Sequence, residues 1–376
     1  MADVRPFRGL RYSSSVVPCL TDVLCPPYDV ITQAGQQALQ RRSPYNAVHL
    51  ELPQDDTHDQ YARAAEVLNR WRQQGVLVRD PRPSYYVQRH RFTHRGRALE
   101  RWGLTACVHL EEFDRQIILP HEEISAAPKA DRLKLMEACR ANLSPIMSLY
   151  NDPQRRIRGA IERTAQSPPS SVVPYNDGQE LTQWVVEPPE LDGAVQATLQ
   201  DTPLFIADGH HRYETALLYR DQARQRVENW GEKDAFNYVM MTLIDFEDPG
   251  LLVLPYHRTL GGLDLPTLMA VRDRLLEFFQ MRSFKPQPTT PEDLEEAVIQ
   301  QGRTISLGLL GPNGEGPYLL TLRHSEAVDN LLAAAGGGAL RDSEGWVLHR
   351  TVLDPVLGAG GDHLAYVHDP QEAWDS

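Results

Sequence analysis

A short apolar segment runs directly into a cluster of polar residues at Leu204-Phe205-Ile206-Ala207-Asp208-Gly209-His210-His211-Arg212-Tyr213. The apolar residues predict a strand, and Asp208-Gly209 predicts a turn into a helix that continues to about residue 226. Glycine lets the backbone turn sharply or lets a ligand approach the main chain closely. Because such strands alternate with helices along the chain, we predict a mixed α/β fold.

The start of this helix has the properties of a phosphate-binding site. Its first N–H groups lack helical partners and carry a partial positive charge. His210, His211 and Arg212 add hydrogen-bond donors, and an arginine can bind two phosphate oxygens at once. We predict that these three residues bind phosphate together with Asp208 and Gly209, and that His210 is also catalytic. The alternative is a capped helix start with surface histidines.

A second polar cluster follows a predicted extended segment at Leu119-Pro120-His121-Glu122-Glu123. Proline fixes its own φ and pushes the residue before it towards extended backbone. A carboxylate held by such a rigid segment near a phosphate can accept a proton from a substrate hydroxyl. We therefore predict catalytic roles for His121 and Glu122. The alternative is an ordinary charged loop that joins a strand to a helix.

Four further polar residues follow this cluster. Lys129 and Arg132 can neutralise the charge that develops in phosphoryl transfer. Arg132 lies in a predicted helix over residues 130–140, and the segment after it contains Asn142 and Ser144. We predict that all four bind substrate, although a solvated charged helix face would have the same composition.

The histidines and carboxylates also allow a metal site. His121, Glu122, Asp208, His210 and His211 together could hold Zn²⁺ or Mn²⁺. Adjacent histidines on a helix point about 100° apart, which disfavours one shared ion. Mg²⁺ usually needs only one or two carboxylates plus phosphates. We therefore expect Mg²⁺ shared with a nucleotide, with Asp208 as its protein ligand.

Two proline-containing segments near the N-terminus leave two interpretations open. In Cys25-Pro26-Pro27-Tyr28-Asp29-Val30, Tyr28 and Asp29 could line a pocket, or the segment could be a rigid turn. Residues 41–46, Arg-Arg-Ser-Pro-Tyr-Asn, could contribute to a site or form a helix end with an ordinary turn.

Composition limits the class of protein. The 376 residues contain 38 Lys and Arg against 51 Asp and Glu, a net charge of −13, so nucleic acid is an unlikely partner. No run approaches the roughly 18 apolar residues of a membrane helix, and the N-terminus has no apolar signal segment. The four cysteines form no CxxC pair, as expected for the reducing cytoplasm. The sequence lacks the phosphate-loop motif GxxxxGK[ST], the dinucleotide-binding turn GxGxxG and the esterase motif GxSxG. A nucleotide would therefore bind through a different phosphate-binding site.

Turn residues divide the chain into three predicted regions. Residues 1–118 form an α+β region with a helix near 58–74 and a β-hairpin that joins 84–92 to 97–110. Residues 119–260 hold the catalytic or nucleotide-binding clusters, with paired strands at 238–246 and 251–255. Residues 261–376 form an α/β domain with a helix at 265–279 and a hairpin through 311–316.

Six spaced blocks together resemble a known family. They are Pro6-Phe7-Arg8-Gly9-Leu10, Cys25 to Val30, Ser43-Pro44-Tyr45-Asn46, Leu119-Pro120-His121-Glu122, Asn142-Leu143-Ser144-Pro145 and Ala207 to Tyr213. In this order they are similar to the bacterial and archaeal domain-of-unknown-function family 1015, over nearly the whole chain.

Two segments within these blocks, Pro120-His121-Glu122 and Asp208 to Arg212, also resemble the free serine kinases of the ParB/sulfiredoxin-like fold. The resemblance implies a ParB/sulfiredoxin-like central domain that phosphorylates the hydroxyl of free L-serine, with ADP or ATP and Mg²⁺. It implies Glu122 as the base and Gly209 to Arg212 as the phosphate cradle, with Asp208 beside it. This chain departs from those small kinases by a long segment between the two motifs and by added terminal regions, which leaves the substrate open.

The leading hypothesis is a nucleotide-dependent phosphotransferase that acts on a small hydroxylated metabolite, with free L-serine as the first candidate. A phosphoester hydrolase built on the same cradle is the second hypothesis. A ParB-like nucleotide-binding regulator is the third, and the missing basic DNA-reading module counts against it.

Overall fold

The computed structural model describes residues 1–54, 59–120, 127–175, 178–200, 202–252, 257–302, 305–311, 315–323, 328–331, 343–358, 363–367 and 369–376, with only the backbone of 127–129. The chain forms two compact units, Met1–Leu252 (unit 1) and Val253–Ser376 (unit 2). Both contain helices and strands, and the predicted mixed α/β fold is confirmed. Among the described residues no helix is both long and apolar enough to cross a membrane.

The strands of unit 1 form a large sheet and a small one. They are β1 (Val4–Arg5), β2 (Leu10–Tyr12), β3 (Leu77–Arg79), β4 (Tyr85–His94), β5 (Arg97–His109), β6 (Ile118–Leu119), β7 (Ile146–Tyr150), β8 (Ser171–Pro174), β9 (Glu180–Val186), β10 (Leu204–Asp208) and β11 (Tyr238–Asp245). Eight strands of the large sheet lie in the order β6-β10-β7-β11-β5-β4-β9-β8, and β1 adds to β5 as the ninth. The β6/β10 and β7/β11 pairs are parallel, whereas the other pairs are antiparallel. β2 and β3 form a separate antiparallel pair.

The predicted hairpin is confirmed as β4 and β5, whose pairing runs from Tyr86–Thr105 to His94–Arg97. Its turn uses Arg95 and Gly96 with φ of 48° and 72°, the left-handed conformation that tight hairpin turns require. The predicted pairing of residues 238–246 with 251–255 is wrong. β11 has β5 on one edge and β7 on the other, and residues 251 and 252 are not in a strand. Residues 253–255 lie outside the described part of the chain.

The described residues of unit 1 form seven α-helices. They are α1 (Gln33–Arg42), α2 (Val48–Glu51), α3 (Gln60–Gln73), α4 (Ala127–Cys139), α5 (Arg156–Thr164), α6 (Pro188–Leu199) and α7 (His210–Arg226). The predicted helices at 58–74, 130–140 and 210–226 correspond to α3, α4 and α7. In α3 the buried residues Ala64, Leu68 and Trp71 recur at helical spacing, which explains the helix and the face it buries.

Two apolar cores position the strand ends of unit 1. In the main core, alternate residues of β5 such as Leu104 and Ala106 pack with α5, α6 and α7. The second core surrounds Trp71 of α3 and includes residues of the N-terminal segment such as Val17 and Val23. Because α4 packs against both α3 and α7, it connects this second core to the end of β10.

Unit 2 contains five strands and five further α-helices among its described residues. They are β12 (His257–Leu260), β13 (Phe279–Ser283), β14 (Ser306–Leu309), β15 (Tyr318–Leu322) and β16 (Leu364–Val367), with α8 (Leu265–Phe278), α9 (Pro291–Ile299), α10 (Glu344–Leu348), α11 (Asp354–Leu357) and α12 (Pro370–Asp375). A π-helical turn, His349–Leu353, joins α10 to α11. The sheets are β13-β15-β14 and β12-β16. The antiparallel β14/β15 pair confirms the strand pairing of the predicted hairpin, whereas residues 312–314 of its turn lie outside the described residues.

Candidate functional site

Three of the sequence blocks meet at one edge of the large sheet. β6 and β10 are parallel, with Leu119 opposite Phe205, so both strands end on the same side. β7 runs antiparallel to β10 and begins there, with Met147 opposite Asp208. The segments that contain Pro120, Ser144 and Asp208 therefore reach the same edge, although they are far apart in the sequence.

The turn between β10 and α7 depends on Gly209. Its φ of 93° and ψ of 29° are left-handed, a conformation that costs other residues free energy. Gly209 is the N-cap of the 17-residue helix α7 and has no side chain with which to cap it. As at the start of any α-helix, its first N–H groups have no intrahelical acceptor, and the positive end of the helix dipole therefore lies at this edge.

Arg212 lies directly beneath this turn. Its guanidinium donates to the carboxylate of Asp208 and to the carbonyl oxygen of Pro145. A Cβ on Gly209 would lie 2.9 Å from the guanidinium carbon of Arg212, which shows how closely the two pack. The side chain of Arg212 is 15% exposed, whereas that of Asp208 is 53% exposed. Arg212 is thus held in place, and the Asp208 carboxylate faces solvent beside it.

The two histidines of the motif occupy different environments. His210 is only 4% exposed, so the alternative of surface histidines is wrong for this residue. The Nε2 atom of His211 is buried and has no hydrogen-bond partner among the described residues. A buried ring nitrogen without a partner is costly, and a bound ligand group would relieve that cost.

Arg132 of α4 is the second buried guanidinium at this edge. It donates to the Asp131 carboxylate at 2.8 Å and to the carbonyl oxygen of Glu51 at 2.9 Å. Its guanidinium carbon lies 4.3 Å from the centroid of the Tyr28 ring, a cation–π contact. These contacts join the predicted substrate-binding residue Arg132 to the segment that contains Tyr28.

Glu51 is a residue of this site that the sequence reasoning missed. Its carboxylate is buried, accepts a hydrogen bond from the Ser144 hydroxyl and lies 3.7 Å from Arg132. Glu51 therefore holds two of the predicted substrate-binding residues. A signal was present, because a single carboxylate between apolar neighbours, in Leu50-Glu51-Leu52, is unusual at the end of a short buried helix.

The proline-containing segment Cys25 to Val30 contributes Tyr28 to the site, as the pocket interpretation predicts. Burial raises the pKa of Tyr28, and the nearby guanidinium groups of Arg132 and Arg212 oppose that rise. The phenol is therefore within the electrostatic range of both arginines. Asp29 and Asp131 are also close enough to raise the pKa of Tyr28, so charges of both signs surround its hydroxyl.

The block at residues 43–46 has a structural role. Asn46 is fully buried and donates to the carbonyl oxygens of Asp22 and Leu24 at 2.8 and 3.0 Å. Its own side-chain oxygen accepts from the N–H of Val48 at the start of α2. Asn46 thereby fixes the segment that leads to Tyr28, as the turn interpretation predicts.

Thiols near Glu51 are held in the neutral form. Burial, with a smaller contribution from the Glu51 carboxylate, raises the pKa of Cys25 to about 12 and that of Cys139 to about 11. Only a thiolate is an effective nucleophile. The chemistry of this edge therefore belongs to its charged and hydroxyl groups.

The remaining predicted site residues are either exposed or outside the described part of the chain. Asn142 is exposed. His121 and Glu122 lie outside the described residues, as does the side chain of Lys129. Within the described part of the chain, no three His, Cys, Asp or Glu residues are grouped so that they could hold a metal ion by themselves.

Replacing Gly209 with alanine tests the turn. We expect Gly209→Ala to lower the free energy of unfolding by about 1–3 kcal/mol, because the residue must keep a positive φ and its Cβ must displace Arg212. Gly193→Ala is the matched control, since Gly193 lies inside α6 with open space around it. That change should stabilise the protein by about 0.5–1 kcal/mol. Chemical denaturation measures both, and equal stability of the two variants would contradict the interpretation of the turn.

Comparison with known proteins identifies the family of the chain. No curated protein and no solved structure matches the chain significantly. Residues 4–336 match a protein family, which is most of the chain and spans all six sequence blocks. The chain therefore belongs to the family described as "Protein of unknown function (DUF1015)".

Proposed function

We propose that the protein is a cytoplasmic, nucleotide-dependent phosphotransferase that phosphorylates a small hydroxylated metabolite, with free L-serine as the first candidate. One observation carries the proposal. The positive charges of two arginines from different helices, Arg132 and Arg212, both reach Tyr28, and Arg212 belongs to the first turn of α7. Arginine guanidiniums and free helix N–H groups are the groups that bind phosphate in proteins.

The charges around Tyr28 favour an amino acid as the acceptor. Two guanidinium groups and the carboxylates of Asp29 and Asp131 act on its hydroxyl. Opposite charges in one small site suit a zwitterion, whose carboxylate and ammonium groups each need a partner. A sugar or polyol has no such charges, so serine fits this site better.

In this proposal the chain positions and deprotonates the acceptor. Glu122 accepts the proton of the serine hydroxyl, and His121 and Lys129 belong to the same segment. The helix N–H groups bind nucleotide phosphates with His211 and Arg212. Glu51 keeps Arg132 and Ser144 in place for the acceptor.

Mg²⁺ fits the residues at this edge. The Asp208 carboxylate is half exposed and lies next to the proposed phosphate position, and Mg²⁺ commonly binds one carboxylate, phosphate oxygens and water. When bound, Mg²⁺ would offset the negative charge of the nucleotide phosphates.

Phosphorus NMR of the purified protein with Mg²⁺, ATP or ADP, and a pool of amino acids and polyols tests the proposal. We expect a new phosphomonoester signal that disappears when serine is omitted. Phosphate release from phosphoesters without nucleotide would support a hydrolase instead. Nucleotide that binds but stays intact with every acceptor would support a regulator, and the absence of both turnover and binding would refute the proposal.

A further inference from the structure

Unit 2 contains a cavity of mixed polar and apolar lining that the proposed function does not use. Its volume is about 140 Å³, close to that of an engineered protein cavity of about 150 Å³ that binds benzene. The lining consists of three apolar side chains and three polar ones, namely Leu353, Leu357, Leu364, His349, Asp354 and Tyr366. A small organic molecule could therefore be held next to these polar groups.

The π-helical turn brings two of the polar residues together. In an α-helix, residues five apart point about 140° away from each other. Here the N–H of Asp354 bonds to the carbonyl oxygen of His349, five residues earlier, and the helix is locally wider. As a result the Asp354 carboxylate lies 3.0 Å from Nδ1 of His349. Such single π turns are rare and occur frequently at functional sites.

The three polar side chains form a directed chain of hydrogen bonds. An ionised Asp354 can only accept, so the proton of the neutral imidazole is on Nδ1 and Nε2 is an acceptor. The Tyr366 hydroxyl lies 3.1 Å from Nε2 and donates to it. Tyr366 is thus hydrogen-bonded to a base whose tautomer is set by a carboxylate, the arrangement that activates hydroxyl nucleophiles.

Two arginines lie near these three hydrogen-bonded side chains. The guanidinium carbon of Arg258 is 5.5 Å from the centroid of the Tyr366 ring, and Arg350 is 3.6 Å from the Asp354 carboxylate. A cation over the ring stabilises negative charge that develops on the phenol oxygen. The Tyr366 side chain is also accessible, because the residue is 47% exposed.

We propose that Tyr366 is a nucleophile that accepts an acyl group from a small ester bound in this cavity, with His349 as its base. The Tyr366 oxygen attacks the acyl carbon and its proton passes to Nε2 of His349. The ester bond then breaks, and the leaving alkoxide takes that proton from His349. The products are an acyl-tyrosine and a free alcohol, so the step needs no further reactant. Asp354 is a positioning residue that acts through His349.

Acetylation of the full chain by p-nitrophenyl acetate tests this proposal, with peptide mass spectrometry to locate the modified residues. We expect Tyr366 to be acetylated at least about 10² times faster than Tyr175, as general-base assistance provides. Tyr175 is the reference because its exposed fraction of 39% is similar, and the His349→Gln variant gives the rate of Tyr366 itself without the base. Equal rates at the two tyrosines would overturn the proposal without any variant.

Variants separate the base from the positioning residue. His349→Gln should reduce acetylation of Tyr366 to the rate of Tyr175, and Asp354→Asn should slow it about tenfold or more, with partial rescue by Asp354→Glu. Glu296→Gln on α9 removes one exposed charge of unit 2 away from the cavity and should have no effect. Circular dichroism checks that each variant is folded. Unchanged acetylation in folded His349→Gln would contradict the assignment.

Discussion

The Glu122→Gln protein is expected to bind ATP as tightly as the parent and to phosphorylate serine about 10²–10⁴ times more slowly. Glutamine keeps the size of the side chain but cannot accept the proton of the substrate hydroxyl. β6 ends beside β10, so Pro120 leaves the sheet at the edge where Gly209 and Arg212 lie, and Glu122 follows it by two residues. Calorimetry of ATP binding and phosphorus NMR of turnover measure the two quantities separately.

Glu123→Gln is the matched control for this prediction. It removes the same charge from the adjacent residue, so a general electrostatic effect would slow both variants equally. We expect Glu123→Gln to keep most of the activity. Full turnover in Glu122→Gln would remove this carboxylate from the mechanism, whereas loss of ATP binding would assign it to the nucleotide instead.

Replacing Arg212 with lysine should lower turnover by about 10²–10³, the effect of removing one donor from a transition-state site. Lysine keeps the positive charge but lacks the planar group that contacts Asp208 and Pro145 at the same time. It would therefore bind the transferred phosphoryl group in a less defined position. Single-turnover phosphoryl transfer, followed at saturating ATP, measures this effect apart from binding.

Arg226→Lys on the same helix is the control for Arg212→Lys. The Arg226 side chain is 67% exposed at the far end of α7, so its replacement should leave turnover within about twofold of the parent. Near-parental turnover in Arg212→Lys would show that the guanidinium serves the turn between β10 and α7 and not the reaction.

Sequence reasoning succeeded where the structure depends on neighbouring residues. The hairpin of β4 and β5 follows from β-forming residues on both sides of Arg95-Gly96, and α7 follows from a strand that ends at a glycine. Both features form from residues close in the chain. Their periodicity and turn chemistry are therefore visible without any tertiary contact.

Contacts between distant segments could not be predicted in this way. Ser144 and Glu51 are 93 residues apart, and nothing in either neighbourhood specifies the other. The predicted partner of β11 is wrong for the same reason. The sequence favours residues 251–255 because they are nearby and strand-like, whereas the observed partner, β5, lies much earlier in the chain. The periodicity of the side chains indicates which face of a strand is buried, but it does not determine the order of the strands in the sheet.

The position of β11 in the middle of the sheet has a consequence for biosynthesis. β5 is complete at His109, but the strand that covers its edge begins only at Tyr238. While the ribosome makes the intervening residues, the nascent hairpin has an unpaired edge over Leu104 to His109, and unpaired edges promote aggregation. We therefore expect the nascent chain to be most prone to aggregation in the interval between completion of β5 and emergence of β11 from the ribosomal tunnel.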